Sequence, residues 1–235
     1  DRVIGCDAWS DDPKFEQAIG GQGVTGICGS GIIEAVASLF LAGILRPDGS
    51  ISGDKAGLCD RVRASDRTFS YLLYEGEPRI VIEQGDVRAI QLAKAALYAG
   101  ARLLMDHMGV DKVDRIRLAG AFGSHIDVKY AMVLGMLPDC DLERVSSANN
   151  AAGTGARIAL LNRASRIEIE RRARTIEKIE TAVDAGFQQH FVDAMGIPHS
   201  TQSYPELSKV MDLPNASEGE ANPAPGRRRR RRRRA

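Results

Sequence analysis

A chain of 235 residues with 43% apolar and 27% charged side chains can bury a core of ordinary size. Its longest apolar run, Ile32 to Leu45, is interrupted by Glu34 and falls short of the roughly 20 residues a bilayer requires, so no membrane association is expected. The net charge of +1 conceals two unlike parts: Arg227 to Arg234 form a run of eight, and the remaining 24 basic residues face 31 acidic ones, a balance of −7.

That arginine run follows a linker-like stretch, Asn215 to Gly226, which has almost nothing to bury, so residues 227–235 are expected to be a disordered tail. Eight solvated charges would bind polyanions without sequence preference. No aromatic residues interleave with them as a stacking surface would want, so no specific nucleic-acid partner is expected and the tail is read as incidental. Cys6, Cys28, Cys59 and Cys140 are scattered, with no C-x-x-C or ferredoxin-like cluster, which argues against an iron–sulfur centre within this chain and for free thiols in a reducing cytoplasm. His107, His125, His190 and His199 show no metal-ligand spacing, and no nucleophile–histidine–carboxylate pattern points to independent hydrolase chemistry.

In chain order, the first informative feature is Gly26-Ile-Cys-Gly-Ser-Gly31, which runs into a helical stretch, Ile32 to Ala42, stopped by Gly43. Backbone amides at such a helix start can face an anion, which makes Gly26, Gly29, Ser30 and Gly31 candidate ligand contacts. The spacing fits neither the dinucleotide fingerprint nor a Walker loop, and Cys28 reads as a small buried thiol, with a functional thiol as the alternative. Residues 46–67 are turn-rich and form an excursion, followed by a β-hairpin of Thr68–Tyr74 and Pro78–Ile82 around Glu75-Gly-Glu77. Asp86 is expected to cap a helix reaching about Met108 and closed by Gly109. Two stripes separate on that helix: Ala93, Ala96 and Gly100, which would let another backbone pack close, and Gln91, Lys94 and Tyr98 beside them.

Next comes an alternating run, Asp114 to Leu118, that reads as a strand and breaks into Leu118-Ala-Gly-Ala-Phe-Gly123. Glycine at 120 and 123 would let a ligand approach the backbone, or else let strand and helix pack tightly. A third small-residue helix start, Asn149-Asn-Ala-Ala-Gly-Thr-Gly155, leads into Ala156–Leu161 and adds Asn150 and Gly153 to the candidates. A charged helix is expected from Ser165 to about Asp184, and Phe187, Phe191 and Met195 then continue an i, i+4 pattern that should pack across the domain or onto a partner. Three such glycine-rich starts suggest one cleft, because α/β folds gather loops at one edge of the sheet.

Taken together, Gly26–Gly31 with its helix, Gly85 to Gly100, Leu118–Gly123, Gly135-Met-Leu-Pro-Asp139 and Asn150 to Ala156 resemble the reductive activators of corrinoid proteins, over about residues 20 to 200. The resemblance implies an α/β fold, the distal part of an actin-like (ribonuclease H-like) ATPase lobe of the acetate and sugar kinase, Hsp70 and actin superfamily, with the hairpin as an excursion and helices at the C-terminus. It implies a partial ATP-binding domain over residues 1–200, a flexible linker over 201–226 and the tail beyond. ATP and Mg²⁺ are the implied cofactors of the whole protein, with a [2Fe-2S] cluster in an upstream domain outside this chain, which begins at Asp1 rather than methionine. In the superfamily the helix before the adenosine motif lines base and ribose, which makes Gln91 and Lys94 candidate contacts, unless that stripe is a solvated face. The implied activity is ATP-dependent reduction of a Co(II) corrinoid on a methyltransferase protein to Co(I), with that protein as partner and a second copy of the chain as a candidate partner. The two phosphate-binding hairpins of the family have no counterpart in residues 1–25, so this chain is expected to hold the adenosine side of the cleft and to be inactive alone. Another superfamily kinase, a dehydratase activator, or a non-catalytic interaction module stay open as alternatives.

Overall fold

The computed structural model describes residues 6–214 apart from Asp11, Gln22 and Ala182. The linker beyond Pro214 and the arginine tail lie outside the described residues. After a short helix α1 (Phe15–Ala18), the chain enters α2 (Gly29–Leu41), whose Ile33, Val36, Ala37, Leu39 and Phe40 recur at helical spacing and are buried. Gly43, at φ +67°, ends α2: its amide and that of Ile44 turn back onto the carbonyls of Phe40 and Leu39, satisfying two groups the helix would leave orphaned.

The turn-rich stretch after α2 contributes a strand of its own. β1 (Val62–Ser65), β2 (Thr68–Tyr74) and β3 (Ile80–Ile82) form an antiparallel sheet in that order, so the expected hairpin is present with a third strand added. The 46–50 turn is stitched to the next helix, α3 (Gln84–His107), through Gln84, which donates to Gly49 O at 2.7 Å and accepts from Ile51 N at 2.9 Å. Asp86 sits at the third position of α3 and accepts from Glu83 N at 2.9 Å; Glu83, not Asp86, is the N-cap, as a capping box requires.

Beyond α3 the chain builds a second layer: β4 (Ile116–Ala119), α4 (Ala121–His125), α5 (Val128–Val133), β5 (Val145–Asn149) and α6 (Ala151–Leu161). β4 and β5 pair in parallel, with Ile116 opposite Val145 and Leu118 opposite Ser147. α2, α3 and α5 close over one core that includes Val36, Phe40, Val87, Tyr98, Met132 and Leu134. α7 (Arg163–Ala173) ends a full three turns before the expected Asp184. α6 and α7 bury no residue, so α7 has only local support, which is marginal at this length, and the Thr175 hydroxyl donates to the Arg172 carbonyl at 2.9 Å, closing the last turn. α8 (Ala185–Asp193), carrying Phe187 and Phe191, packs on α3.

The segment 201–214, expected as linker, belongs to the folded body. It forms α9 (Pro205–Ser208) and buries Tyr204 and Leu207 in the main core, because Asp139 accepts from the amides of Glu206 and Leu207 at 2.9 and 3.1 Å and fixes the helix start. Among the described residues no helix is long and apolar enough to cross a membrane.

Candidate functional site

A parallel pair places both strand ends on the same side, so the turns that follow β4 and β5 emerge together at the carboxyl edge. Gly120 lies in the first turn at φ +103° and ψ 168°, a region open essentially to glycine, and donates its amide to Asn149 O at 2.9 Å across the sheet end. A Cβ on Gly120 would meet nothing within 4 Å, so the space it leaves is open. Gly123 is different: a Cβ there would stand 2.9 Å from Leu118 Cβ and 3.2 Å from the Leu118 carbonyl carbon, so this glycine lets α4 fold back on the strand. Ser124 Oγ donates to Gly120 O at 3.1 Å and completes the turn.

The second turn is shaped by a register slip. Leu118 faces Ser147 but Ala119 faces Asn149, leaving Ala148 as the extra residue, and Asn149 adopts φ +50°. Asn150 caps α6 by accepting from Gly153 N at 2.8 Å, and a Cβ on Gly153 would approach the Asn150 amide to 2.6 Å, so glycine makes room for the cap. The third start, that of α2, meets the first through Phe122: a Cβ on Gly29 would lie 3.3 Å from the Phe122 ring. Through Phe122 the structure sets the α2 start at Gly29 against α4, which begins after Gly120, with Asn150 and Gly153 on the adjoining strand turn. Gly26 precedes this cluster with open space where its side chain would be.

Cys28 corrects the expectation of a small buried thiol. It is exposed and serves as the N-cap of α2, its sulfur accepting from Gly31 N at 3.3 Å. The Ser30 side chain first and the Gly31 amide second hold the thiol below its ordinary range, as thiolate character at a helix start requires. The pattern cysteine–glycine–serine–glycine at a helix start is the signal that could have found it.

Gln91 and Lys94 do not reach this edge. Each is only 1% exposed, and the helix face expected to meet the nucleotide is the face turned into the protein. Gln91 Nε2 donates to Asp48 O at 3.0 Å and Met195 O at 2.8 Å; Lys94 Nζ donates to Pro198 O at 2.8 Å and to Gly196 O. The carbonyls of the segment after α8 thus satisfy an amide and an amine that hydropathy alone would leave at the surface, while Ala93 and Ala96, expected to receive a packed backbone, are exposed.

A concavity of about 400 Å³ lies elsewhere, at the amino-terminal end of β4 and β5 among Arg102, Asp114, Asp139 and Arg144. The carboxyl-edge loops, by contrast, carry Gly120 with open space beside its backbone. No group of three or more histidine, cysteine, aspartate or glutamate side chains that could hold a metal occurs among the described residues.

A glycine-lined carboxyl edge on a mixed α/β framework with an antiparallel excursion is the architecture of an actin-like ATPase lobe. Residues 4–208 match the family described as the C-terminal domain of RACo, the ASKHA domain, and the chain belongs to that family. It is 37% identical over 186 residues to the corrinoid activation enzyme RamQ of Eubacterium limosum, a match covering 74% of this chain and 31% of that protein. A solved structure titled reductive activator for corrinoid, iron–sulfur protein superposes with a TM-score of 0.66 at 34% identity, over 78% of this chain and 30% of the other. The chain thus spans about a third of the length of these relatives.

Proposed function

We propose that this chain is the nucleotide-binding C-terminal part of an ATP-dependent reductive activator, one that returns the Co(II) corrinoid of a methyltransferase protein to Co(I) by delivery of one electron. The observation that carries this reading is the convergence of three glycine-rich helix starts, at Gly29, Gly120 and Asn150, on one sheet edge. Gly120 offers the open backbone approach that a planar base or a ribose needs, and α2 and α6 turn their positive ends to the same edge. Gly26, Gly29, Ser30, Gly31, Gly120, Gly123, Asn150 and Gly153 would hold the nucleotide; Gln91 and Lys94 position the framework behind it. ATP, with Mg²⁺, supplies the driving force for an electron transfer that is otherwise uphill, through its differential affinity for two conformations of the activator. The electron would come from a [2Fe-2S] centre outside this chain, and the site of action would be the cytoplasm.

Calorimetric titration of the chain with ATP tests the assignment. Binding weaker than micromolar, short of about 8 kcal/mol, is expected for an adenosine side without phosphate hairpins, and Gly120→Val, strained at φ +103°, should lower stability and abolish binding while circular dichroism still reports a folded chain. Undiminished affinity in the Gly120→Val protein would show that the turn is a packing device alone.

A further inference from the structure

The segment after α8 is held by contacts unusual for a surface strap. Three side chains of α3 reach it: Gln91 donates to Met195 O, Lys94 to Gly196 O and Pro198 O, and the Tyr98 hydroxyl to Gln202 Oε1. From the other side, residues 135–139 receive it. Gly135, at φ +72°, leaves room for the Pro198 carbonyl, which would stand 1.8 Å from a Cβ; Leu137 O accepts from Tyr204 OH at 3.2 Å; and Asp139 caps α9. Two titratable side chains, His199 and Lys94, sit within these contacts. His199, its ring 4.8 Å from that of Tyr98, uses Nδ1 to accept from the amides of Thr201 at 3.2 Å and Gln202 at 3.1 Å, and a proton on Nδ1 would turn this acceptor into a donor. Lys94 is buried with two carbonyls as partners and, among the described residues, no carboxylate within ion-pairing distance.

We propose that residues 194–207 form a latch across α3 and residues 135–139 that opens when Lys94 and His199 take up protons. Burial lowers Lys94 to about 7, and burial first, then the Lys94 charge, lowers His199 to about 4. Both folded values are depressed, so both favour the closed latch at higher pH. The Lys94 contribution is complete above 10.5 and fades as pH falls to about 7; that of His199 is complete above 6.5 and fades as pH falls to about 4. Asp193 of α8 pulls His199 the other way, and His190 of α8 adds to its lowering. Of the other charged groups around the latch, Arg102 of α3 is paired with Asp106 and Asp111, Asp139 is engaged by the α9 amides, and Glu206 is paired with Lys209. The pairs His190–Asp106 and His107–Asp184 hold α8 itself on α3, so the unit released is the segment after α8.

Hydrogen exchange of the full chain at pH 8 and pH 5, with rates normalised to the unstructured chain, tests the latch. Lys94 alone shifts the closed-to-open ratio about tenfold over this interval, and His199 adds to it, so protection of residues 196–207 should fall tenfold or more while the amides of α2 keep theirs. In the double variant Lys94→Met, His199→Asn, whose asparagine retains an acceptor without titrating, the ratio between the two pH values should stay within about threefold. Equal protection of the wild-type segment at both pH values, loss in α2 in parallel with it, or acid opening of the double variant as large as the wild type's would each overturn the proposal. Should the double variant fail to fold, NMR titration of His199 in the wild type decides: a midpoint well below 6.5 with the proton on Nε2 supports the latch, and an ordinary midpoint rejects it.

Discussion

Gly135→Ala measures how tightly the segment after α8 is built into the fold. Two costs add at this position. A non-glycine residue at φ +72° carries about 1–2 kcal/mol of steric strain. The new Cβ would also stand 1.8 Å from Pro198 O and 2.7 Å from its carbonyl carbon, a separation that only displacement of the backbone can relieve. That displacement takes Pro198 O away from Lys94 Nζ, now 2.8 Å distant, and leaves a buried polar pair unmade, worth about 1–3 kcal/mol. The sum is about 2–5 kcal/mol. Gly109→Ala is the internal control, because Gly109 closes α3 at φ +65° with nothing within 4 Å of its missing side chain and should lose the strain energy alone. Urea unfolding of both variants, extrapolated to water, should separate them by at least about 1 kcal/mol. Equal losses would mean that the Pro198 carbonyl yields freely and that the segment is loosely held.

Asp139→Ala should cost about 1 kcal/mol or more through the α9 cap, and thermal unfolding of the Asp139→Asn protein, which keeps an acceptor oxygen, should recover part of it. Lys94→Met should flatten the pH dependence of stability: the wild type gains up to about 1.4 kcal/mol per pH unit from about 7 towards 10.5, and urea midpoints of the variant that still climb over that range would refute the assignment to Lys94. Iodoacetamide should label Cys28 ahead of Cys6 and Cys140, both buried, as read by peptide mass spectrometry; earlier labelling of Cys140, whose thiol burial pushes up, would contradict the exposed N-cap.

What was legible in the sequence follows a physical division. Elements with their own punctuation were found in place: α2 with its Gly43 stop, the strand before Gly120, the hairpin around Gly76, and α3 up to Gly109. Positive-φ glycines and apolar periodicity are local properties, and local reading captures them. The third strand of the antiparallel sheet escaped because Val62-Arg-Ala-Ser65 is short, and its pairing with Thr68–Tyr71 across a tight turn depends on the partner strand. Gln91 and Lys94 were placed on the wrong side of α3 because the groups that satisfy them, the carbonyls of Asp48, Met195, Gly196 and Pro198, come from 43 to 104 residues away. Cys28 was misjudged for the opposite reason: its partners are adjacent, but a cysteine is a rare cap, and average burial outweighed position.

The Gly135–Asp139 run shows how a family-specific motif and a ligand site can part company. It carried as much of the resemblance as the glycine turns did, yet three of its residues are occupied with packing. Gly135 admits the Pro198 carbonyl, Leu137 receives the Tyr204 hydroxyl, and Asp139 starts α9. Together with Gln91, Lys94 and Tyr98 they tie α3 to the segment behind α5, and α5 is the element that follows the Gly120 turn by way of α4. An edge made of glycines has little side-chain mass of its own and is only as well placed as the framework behind it. The polar residues of α3 supply that framework through hydrogen bonds to backbone carbonyls, which specify one register where apolar contacts would accept several. Gln91 and Lys94, candidate ligand contacts because the resemblance places this helix along base and ribose, are therefore bound to the protein itself, and the site proposed above would be lined mainly by glycine, serine and asparagine.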